Sequence, residues 1–165
     1  LEPRLEEINI EDIAHALALI NRFGGHSAVP ISVAQHSVFV SRLCNVAALQ
    51  GLLHDASEYV LGDVTKWLKG TPEMARYRDA EACAQRVILG KFGCATELAD
   101  EVEAADRLMV RYEYERGYHG CVIDHPGYPR VSDDERRLVG PWEPWAWAMA
   151  EREFLGRFTM LMDRD

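Results

Sequence analysis

Apolar residues recur at intervals of three and four along most of the chain, a spacing that places them on one face of an α-helix. The first such segment carries the following residues on a common face: Ile10, Ile13, Ala14, Leu17 and Ile20. Asn9 precedes this segment and is suited to cap a helix, and the pair Gly24-Gly25 is expected to end it. The pattern therefore predicts an amphipathic first helix.

The same spacing predicts five further helices. They run from Val33 to about Leu43, Val46 to about Val60, Glu73 to Phe92, Ala95 to about Arg116, and Pro144 to about Leu161. No stretch alternates apolar and polar residues with the period of two that is typical of half-buried strands. Glycine, proline and aspartate run through residues 117–141, which predicts an irregular connection there. We expect an all-α protein, a compact helical bundle in a single domain over residues 1–165.

The charge balance narrows the range of partners. The chain has 18 Lys and Arg residues against 27 Asp and Glu residues, which gives a net charge of −9. A surface of this sign is unsuited to polymeric nucleic acid or to an anionic membrane. A small anionic substrate stays compatible, because a metal ion and a few basic side chains can dominate the field inside a pocket.

The cysteines and the chain start favour a cytoplasmic protein. The sequence has no CxxC pair among its four cysteines, Cys44, Cys83, Cys94 and Cys121. Reduced thiols are therefore expected. The start, LEPRLEEINIEDI, lacks the cationic residues and the apolar core of a secretory signal. The apolar runs are also too short to span a membrane.

Two histidines and two aspartates, in a fixed order along the chain, are the candidate functional residues. His36 lies in VAQHSV, His54 and Asp55 lie in GLLHDASEYVLGD, and Asp106 lies in VEAADRLM. Neutral imidazoles together with carboxylates are the ligands of catalytic divalent metals. The set therefore indicates a metal site.

The spacing of the two histidines constrains the fold. His36 and His54 are 18 positions apart, which would be about 27 Å along a continuous helix at about 1.5 Å per residue. If both bind one ion, the chain must reverse between them. Asn45 is the expected place, because asparagine tolerates the left-handed conformation that ends helices.

The second helix of this hairpin would carry more of the site. Glu58 lies four residues after His54 and would share its helix face, whereas Asp55 would approach from about 100° around the helix. Asp106 would enter from a third helix. Coordination positions would then be left for water and for a substrate oxygen.

Four motifs carry a resemblance to a known family: NRF at residues 21–23, SVAQHS at 32–37, LLHDASEYVLGD at 52–63 and EAADRL at 103–108. With them, the region from Ile13 to Arg111 resembles the HD-domain superfamily of phosphohydrolases. Within it, the chain is similar to the small helical group of bacterial 5'-deoxynucleotidases and phage deoxynucleoside triphosphate triphosphohydrolases. The last two motifs are specific to this family, and the first two support the resemblance. The resemblance implies a helical bundle of the HD-domain type.

The resemblance also implies roles for the site residues. One divalent ion of cobalt, manganese, zinc or iron per chain would be held by four ligands, namely His36, His54, Asp55 and Asp106. Glu58 would position or deprotonate the attacking water. Asp63 would contact a sugar hydroxyl or that same water.

Substrate-binding roles follow in the same way. Arg22 would bind phosphate, with Lys69 as a second candidate, and Phe23 stands where the family has an aromatic that crowds the sugar 2' position. Family members follow the Gly-Asp pair with a stretch containing two prolines, near the nucleobase. Here that stretch reads GDVTKWLK, with Thr65 and Trp67 at those places. Trp67 is thus a candidate base contact, and the base preference cannot be carried over.

The implied activity is hydrolysis of the 5'-phosphoester of deoxynucleotides by a metal-bound water, with monophosphates as the expected substrates. The alternative is a dNTP (dATP-type) triphosphohydrolase that releases tripolyphosphate, because both cleave the same bond. Hydrolysis of another phosphoester and nucleotide binding without turnover are further alternatives. Glu58 and Asp63 argue against the last, since a binder needs no base. Members of the group form dimers or larger rings, so a homo-oligomer is expected.

Overall fold

The structure, a computed structural model, describes residues 4–118 and 126–163. These residues form helices joined by turns, and the pairing of Asn21 with Ser32 is the single β-bridge among them. The helices are α1 (Ile10–Leu19), α2 (Val33–Leu43), α3 (Ala48–Leu53), α4 (Glu58–Leu61), α5 (Lys66–Lys69), α6 (Ala75–Lys91), α7 (Asp100–Gly117), α8 (Asp133–Val139) and α9 (Trp147–Met162). The expected all-α fold is confirmed.

Helix α2 lies at the centre and packs against α1, α3, α7, α8 and α9. The Ser32 side chain caps it by accepting a hydrogen bond from the backbone N–H of Gln35. Every residue from position 33 to position 41 is buried. Phe39 of this helix is buried together with large apolar side chains from the surrounding elements: Ile13, Leu17, Leu52, Leu53, Met109 and Phe154. Burial of each stabilises the fold by roughly 1.5–3 kcal/mol.

The chain reverses between α2 and α3 at the predicted place but for another reason. The Glu101 carboxylate accepts hydrogen bonds from the backbone N–H groups of Asn45, at 3.1 Å, and of Ala47. Phe23 is the one non-glycine residue with positive φ in the described part of the chain. The expectation of a left-handed Asn45 was therefore wrong, and a carboxylate from α7 holds the turn.

A close approach at Gly51 brings α3 against α2. A Cβ atom at this position would lie 2.9 Å from the Cys44 Sγ and 3.3 Å from the Ser41 Cα. Only glycine fits such a contact without movement. His54 directly follows α3, and His36 lies on α2. The close approach of the two helices therefore sets the distance between these histidines.

The prediction of one helix from Val46 to Val60 was wrong, because the chain turns at residues 54–57 between α3 and α4. Gln85 on α6 stabilises the break. Its side chain donates to the Leu53 carbonyl at 2.6 Å and accepts from the Ser57 N–H at 2.9 Å. Backbone groups freed by the break thus find partners from a distant helix.

The prediction of an irregular connection over residues 117–141 was wrong in part. Helix α8 lies inside it and begins with a capping box, in which Ser132 and Glu135 satisfy each other's backbone N–H groups. Residues 119–125, including Cys121, lie outside the described part. The predicted C-terminal helix is present as α9, three residues later than expected at its start.

The cysteines that the structure describes, Cys44, Cys83 and Cys94, form no disulfide with one another. Among the described helices, none combines the length and the apolar character that crossing a membrane requires.

We predict that Gly51→Ala destabilises the fold by about 1–3 kcal/mol, the usual cost of overpacking, because the new methyl group pushes α3 away from α2. Gly90→Ala is the matched control. The Cβ of that residue meets nothing within 4 Å, so the substitution should stabilise by about 0.4–1 kcal/mol. Urea unfolding of both variants measures the difference. Equal stability of the two variants would contradict the close approach.

Candidate metal centre

Helix α2, the end of α3 and helix α7 bring His36, His54 and Asp106 together. The Nε2 atoms of the histidines lie 3.3 Å apart, and the Asp106 Oδ1 lies 3.2 Å from His36 Nε2 and 4.0 Å from His54 Nε2. Both imidazoles are buried and Asp106 is half-buried. Their ligand atoms all lie within 4.8 Å of one another, so the group can hold a metal ion.

The outer nitrogens of both imidazoles face acceptors. His54 Nδ1 lies 2.8 Å from the carbonyl oxygen of Gly51, and His36 Nδ1 lies 3.0 Å from the Glu113 Oε1. Oxygens of these kinds accept hydrogen bonds, so both Nδ1 atoms carry a hydrogen. In the neutral imidazoles the Nε2 lone pairs then face each other. A proton or a metal ion between them relieves that repulsion, and with the Asp106 carboxylate the two imidazoles are a ligand set that fits a divalent metal.

The surrounding charges favour a cation at the same point. Burial lowers the pKa of His54, but the Asp55 and Asp106 carboxylates outweigh it and raise that pKa to about 9. Burial and Arg22 lower the pKa of His36, yet Glu113 and Asp106 turn the net shift upward. Burial raises the pKa of Asp106, and the two histidines overcome this and bring it to about 2. The centre thus attracts positive charge.

Asp55 borders the group. Its Oδ2 lies 3.2 Å from His54 Nε2, 3.8 Å from His36 Nε2 and 3.2 Å from Arg22 NH1. Burial raises the pKa of this carboxyl, but His54 and Arg22 lower it well below its usual range. Asp55 is therefore ionised beside the histidines, and its role as a fourth ligand stays a prediction.

Glu58 begins α4 instead of sharing a helix face with His54, so that part of the prediction was wrong. It is 5% exposed, and its Oε2 makes no hydrogen bond within the described part of the chain. Its Oε1 lies 3.7 Å from Lys69 Nζ. Burial, Asp55 and Asp63 raise its pKa to about 9 against the opposing effect of Arg22 and Lys69. Glu58 is thus a buried carboxyl near Asp55 and Asp63, and one of its oxygens lacks a hydrogen-bond partner.

Arg22 and Phe23 lie in a short turn, Arg22–Gly25. The Arg22 guanidinium is buried and meets the Glu113 Oε2 through Nε at 3.1 Å. Burial lowers the pKa of Arg22, but Glu113 and Asp55 raise it above its usual value, so it stays charged. Phe23 has a φ of 58°, a strained conformation for a residue with a Cβ.

Two tyrosines complete the surroundings of Phe23. Its ring meets the rings of Tyr114 and Tyr118 edge-on, at centroid distances of 6.4 and 5.5 Å. The two tyrosines stack on each other at 4.3 Å. An aromatic cluster therefore adjoins Arg22, whose guanidinium carbon lies 5.5 Å from the centroid of the Phe23 ring.

The remaining residues that were predicted to bind substrate or water lie further from the two histidines. Trp67 on α5 is 86% exposed. Asp63 is half-buried after α4, and Lys69 forms an ion pair with Glu81 as well as with Glu58. The structure thus places Asp63 and Lys69 near Glu58, whereas it places Trp67 on the surface.

Glu113 and the two tyrosines were absent from the sequence prediction. Glu113 lies seven residues after Asp106 on α7, close to two helical turns, so the two share a face. That spacing was visible in the sequence. Tyr114 lies on the last turn of the same helix and Tyr118 directly follows its end, and nothing in the sequence pattern separates them from ordinary surface aromatics.

Comparison with known proteins finds two uncharacterized bacterial relatives. YfdR of Escherichia coli (strain K12) is 36% identical over 109 residues, which are 66% of this chain and 60% of that protein. A protein of Rhodobacter capsulatus is 34% identical over 130 residues, 70% of this chain and 66% of its own length. The chain thus spans about three fifths to two thirds of these relatives. No family model matches it.

We predict that one divalent transition ion binds per chain, and that His54→Ala or Asp106→Ala abolishes this binding. His15→Ala is the control, because its side chain is largely exposed and pairs with Glu151. Zinc at about 100 times its dissociation constant should stabilise the wild type by about 2.7 kcal/mol. Calorimetric titration and thermal unfolding measure both effects. Undiminished zinc binding by the His54 or Asp106 variants would contradict the site.

Proposed function

We propose that this protein is an HD-domain phosphohydrolase that hydrolyses the 5'-phosphoester of deoxynucleotides, with deoxynucleoside monophosphates as its substrates. The observation that carries the proposal is the pair of buried imidazoles whose Nε2 atoms lie 3.3 Å apart beside Asp106. Family resemblance supplies the reaction class.

His36, His54 and Asp106, with Asp55, would hold the ion. When bound, a divalent metal supplies Lewis-acid charge and makes water a nucleophile near neutral pH. A set of two imidazoles and two carboxylates is compatible with zinc, manganese, cobalt or iron.

Arg22 would bind the phosphoryl group. Its guanidinium is charged and buried, and NH1 lies 3.2 Å from an oxygen of Asp55. A phosphate that approaches Arg22 therefore comes next to the proposed ligands. A planar guanidinium offers paired N–H donors that match phosphate oxygens, and it offsets the charge that develops during phosphoryl transfer.

Glu58 would accept the proton of the attacking water. It is buried beside Asp55, and one of its oxygens makes no hydrogen bond in the described part of the chain. Because its pKa is raised, its ionised form binds a proton more tightly than an ordinary glutamate does. Lys69 and Arg22 favour the ionised form by their charge, but burial and the neighbouring carboxylates outweigh them, and a cation bound beside Asp55 would shift the balance toward the ionised form.

Phe23 and the tyrosines would select the sugar. The Phe23 ring and the ring faces of the tyrosines offer no hydrogen-bond partner to a 2'-hydroxyl packed against them, so a ribonucleotide would lose the hydration of that group without replacement. Asp63 remains the candidate contact to a sugar hydroxyl, and Trp67 the candidate contact to the base.

The proposal also includes a cytoplasmic location and a homo-oligomeric state. Free thiols at Cys44, Cys83 and Cys94 are compatible with a reducing, cytoplasmic environment. Exposed apolar side chains on α9, Trp147 and Met149 among them, are available for contacts in a homo-oligomer.

We predict that the metal-loaded protein releases inorganic phosphate from deoxynucleoside monophosphates and prefers them to ribonucleotides. The measurement is a panel of mono-, tri- and cyclic nucleotides, assayed for phosphate and for tripolyphosphate. Phe23→Ala should narrow the preference for deoxyribose. Tripolyphosphate from triphosphates alone would identify the triphosphohydrolase instead. Inactivity on every nucleotide would refute the proposal.

We predict that Glu58→Gln keeps the fold and the metal but loses about 10²-fold or more in kcat, the scale of a general base. Glu73→Gln, at an exposed position, is the control and should retain wild-type turnover. Steady-state kinetics with metal analysis test this. A change confined to KM would make Glu58 a binding residue instead.

A further inference from the structure

We propose that Glu113 is the positioning residue of this centre, fixing the imidazole of His36 with one carboxylate oxygen and the guanidinium of Arg22 with the other. The part that concerns Arg22 rests on the proposed function. The part that concerns His36 requires only that the centre binds a metal.

The placement of Glu113 supports this role. It is 0% exposed, a costly position for a carboxylate that lacks partners. Its Oε1 lies 3.0 Å from His36 Nδ1 and its Oε2 lies 3.1 Å from Arg22 Nε. Both oxygens of one buried carboxylate are thus directed at residues of the site.

The contact with His36 decides which nitrogen faces the centre. An ionised carboxylate only accepts hydrogen bonds, so it selects the form in which Nδ1 carries the hydrogen. The Nε2 lone pair then points toward His54 and Asp106. Without Glu113 the imidazole could rotate or place its hydrogen on Nε2, which would block metal binding.

The contact with Arg22 is an ion pair. The Arg22 Nε and the Glu113 Oε2 face each other at 3.1 Å, and neither atom makes a hydrogen bond in the described part of the chain. The same guanidinium meets Asp55 through NH1. Arg22 therefore lies between two carboxylates, and a single side chain of α7 links its position to that of His36.

Two substitutions separate these contacts. Glu113→Met removes both acceptors with similar side-chain length, whereas Glu113→Gln keeps one acceptor oxygen and removes the charge. Glu103→Gln is the control, because Glu103 lies exposed on the same helix and pairs with Arg107. Chemical unfolding of each variant establishes that it folds.

We predict that Glu113→Met weakens zinc binding by about 10- to 100-fold, as loss of a carboxylate behind a ligand histidine usually does. Glu113→Gln should weaken it by less than about fivefold and instead raise KM for a deoxynucleoside monophosphate more than it lowers kcat, because Arg22 loses its charged partner. Glu103→Gln should match the wild type in all three quantities.

Nitrogen NMR on histidine-labelled, zinc-loaded wild type gives a readout independent of activity and of the fold of any variant. We expect hydrogen on Nδ1 of His36. Hydrogen absent from Nδ1, or unchanged zinc affinity in a folded Glu113→Met, would overturn the role toward His36. An unchanged KM in Glu113→Gln would overturn the role toward Arg22. If no nucleotide is hydrolysed but the zinc and NMR results hold, the proposed function fails and the positioning of His36 stands.

Discussion

The rest of the site depends on the opposition of two imidazole nitrogens in the protein interior. The Nδ1 atoms of His36 and His54 are each committed to an acceptor, a glutamate and a backbone carbonyl respectively. The Nε2 atoms consequently face each other at 3.3 Å. Such an arrangement favours a proton or a metal ion between the nitrogens, and the nearby carboxylates of Asp55 and Asp106 increase the attraction for positive charge.

The fold maintains this opposition at several points of packing. Gly51 allows α3 to approach α2 within a distance that a side chain would prevent, and Glu101 holds the turn between them. Gln85 stabilises the break after α3 that places His54 and Asp55 at a turn instead of inside a helix. Strain at Phe23 occurs in the turn that presents Arg22. The packing of the helices therefore holds the two imidazoles close together and keeps Phe23 in its strained conformation.

Local signals made part of this structure predictable. Apolar periodicity predicted the long helices, and the separation of the histidines predicted a reversal near Asn45. The capping box of Ser132 and Glu135 was readable but was outweighed by the glycines and prolines around it. The break at residues 54–57 depends on Gln85, a residue on another helix, so no local pattern could reveal it. The buried pairing of Glu113 likewise depends on how α2 meets α7, although its seven-residue spacing from Asp106 was a usable signal.

Anomalous diffraction from crystals grown with zinc or manganese tests the central claim most directly, because it locates the ion without reference to activity. We expect one peak per chain, at about 2.0–2.2 Å from His36 Nε2, His54 Nε2 and the Asp106 carboxylate. A fully loaded crystal whose only peaks lie elsewhere on the chain, with the two imidazoles still facing each other, would contradict a metal centre at this site.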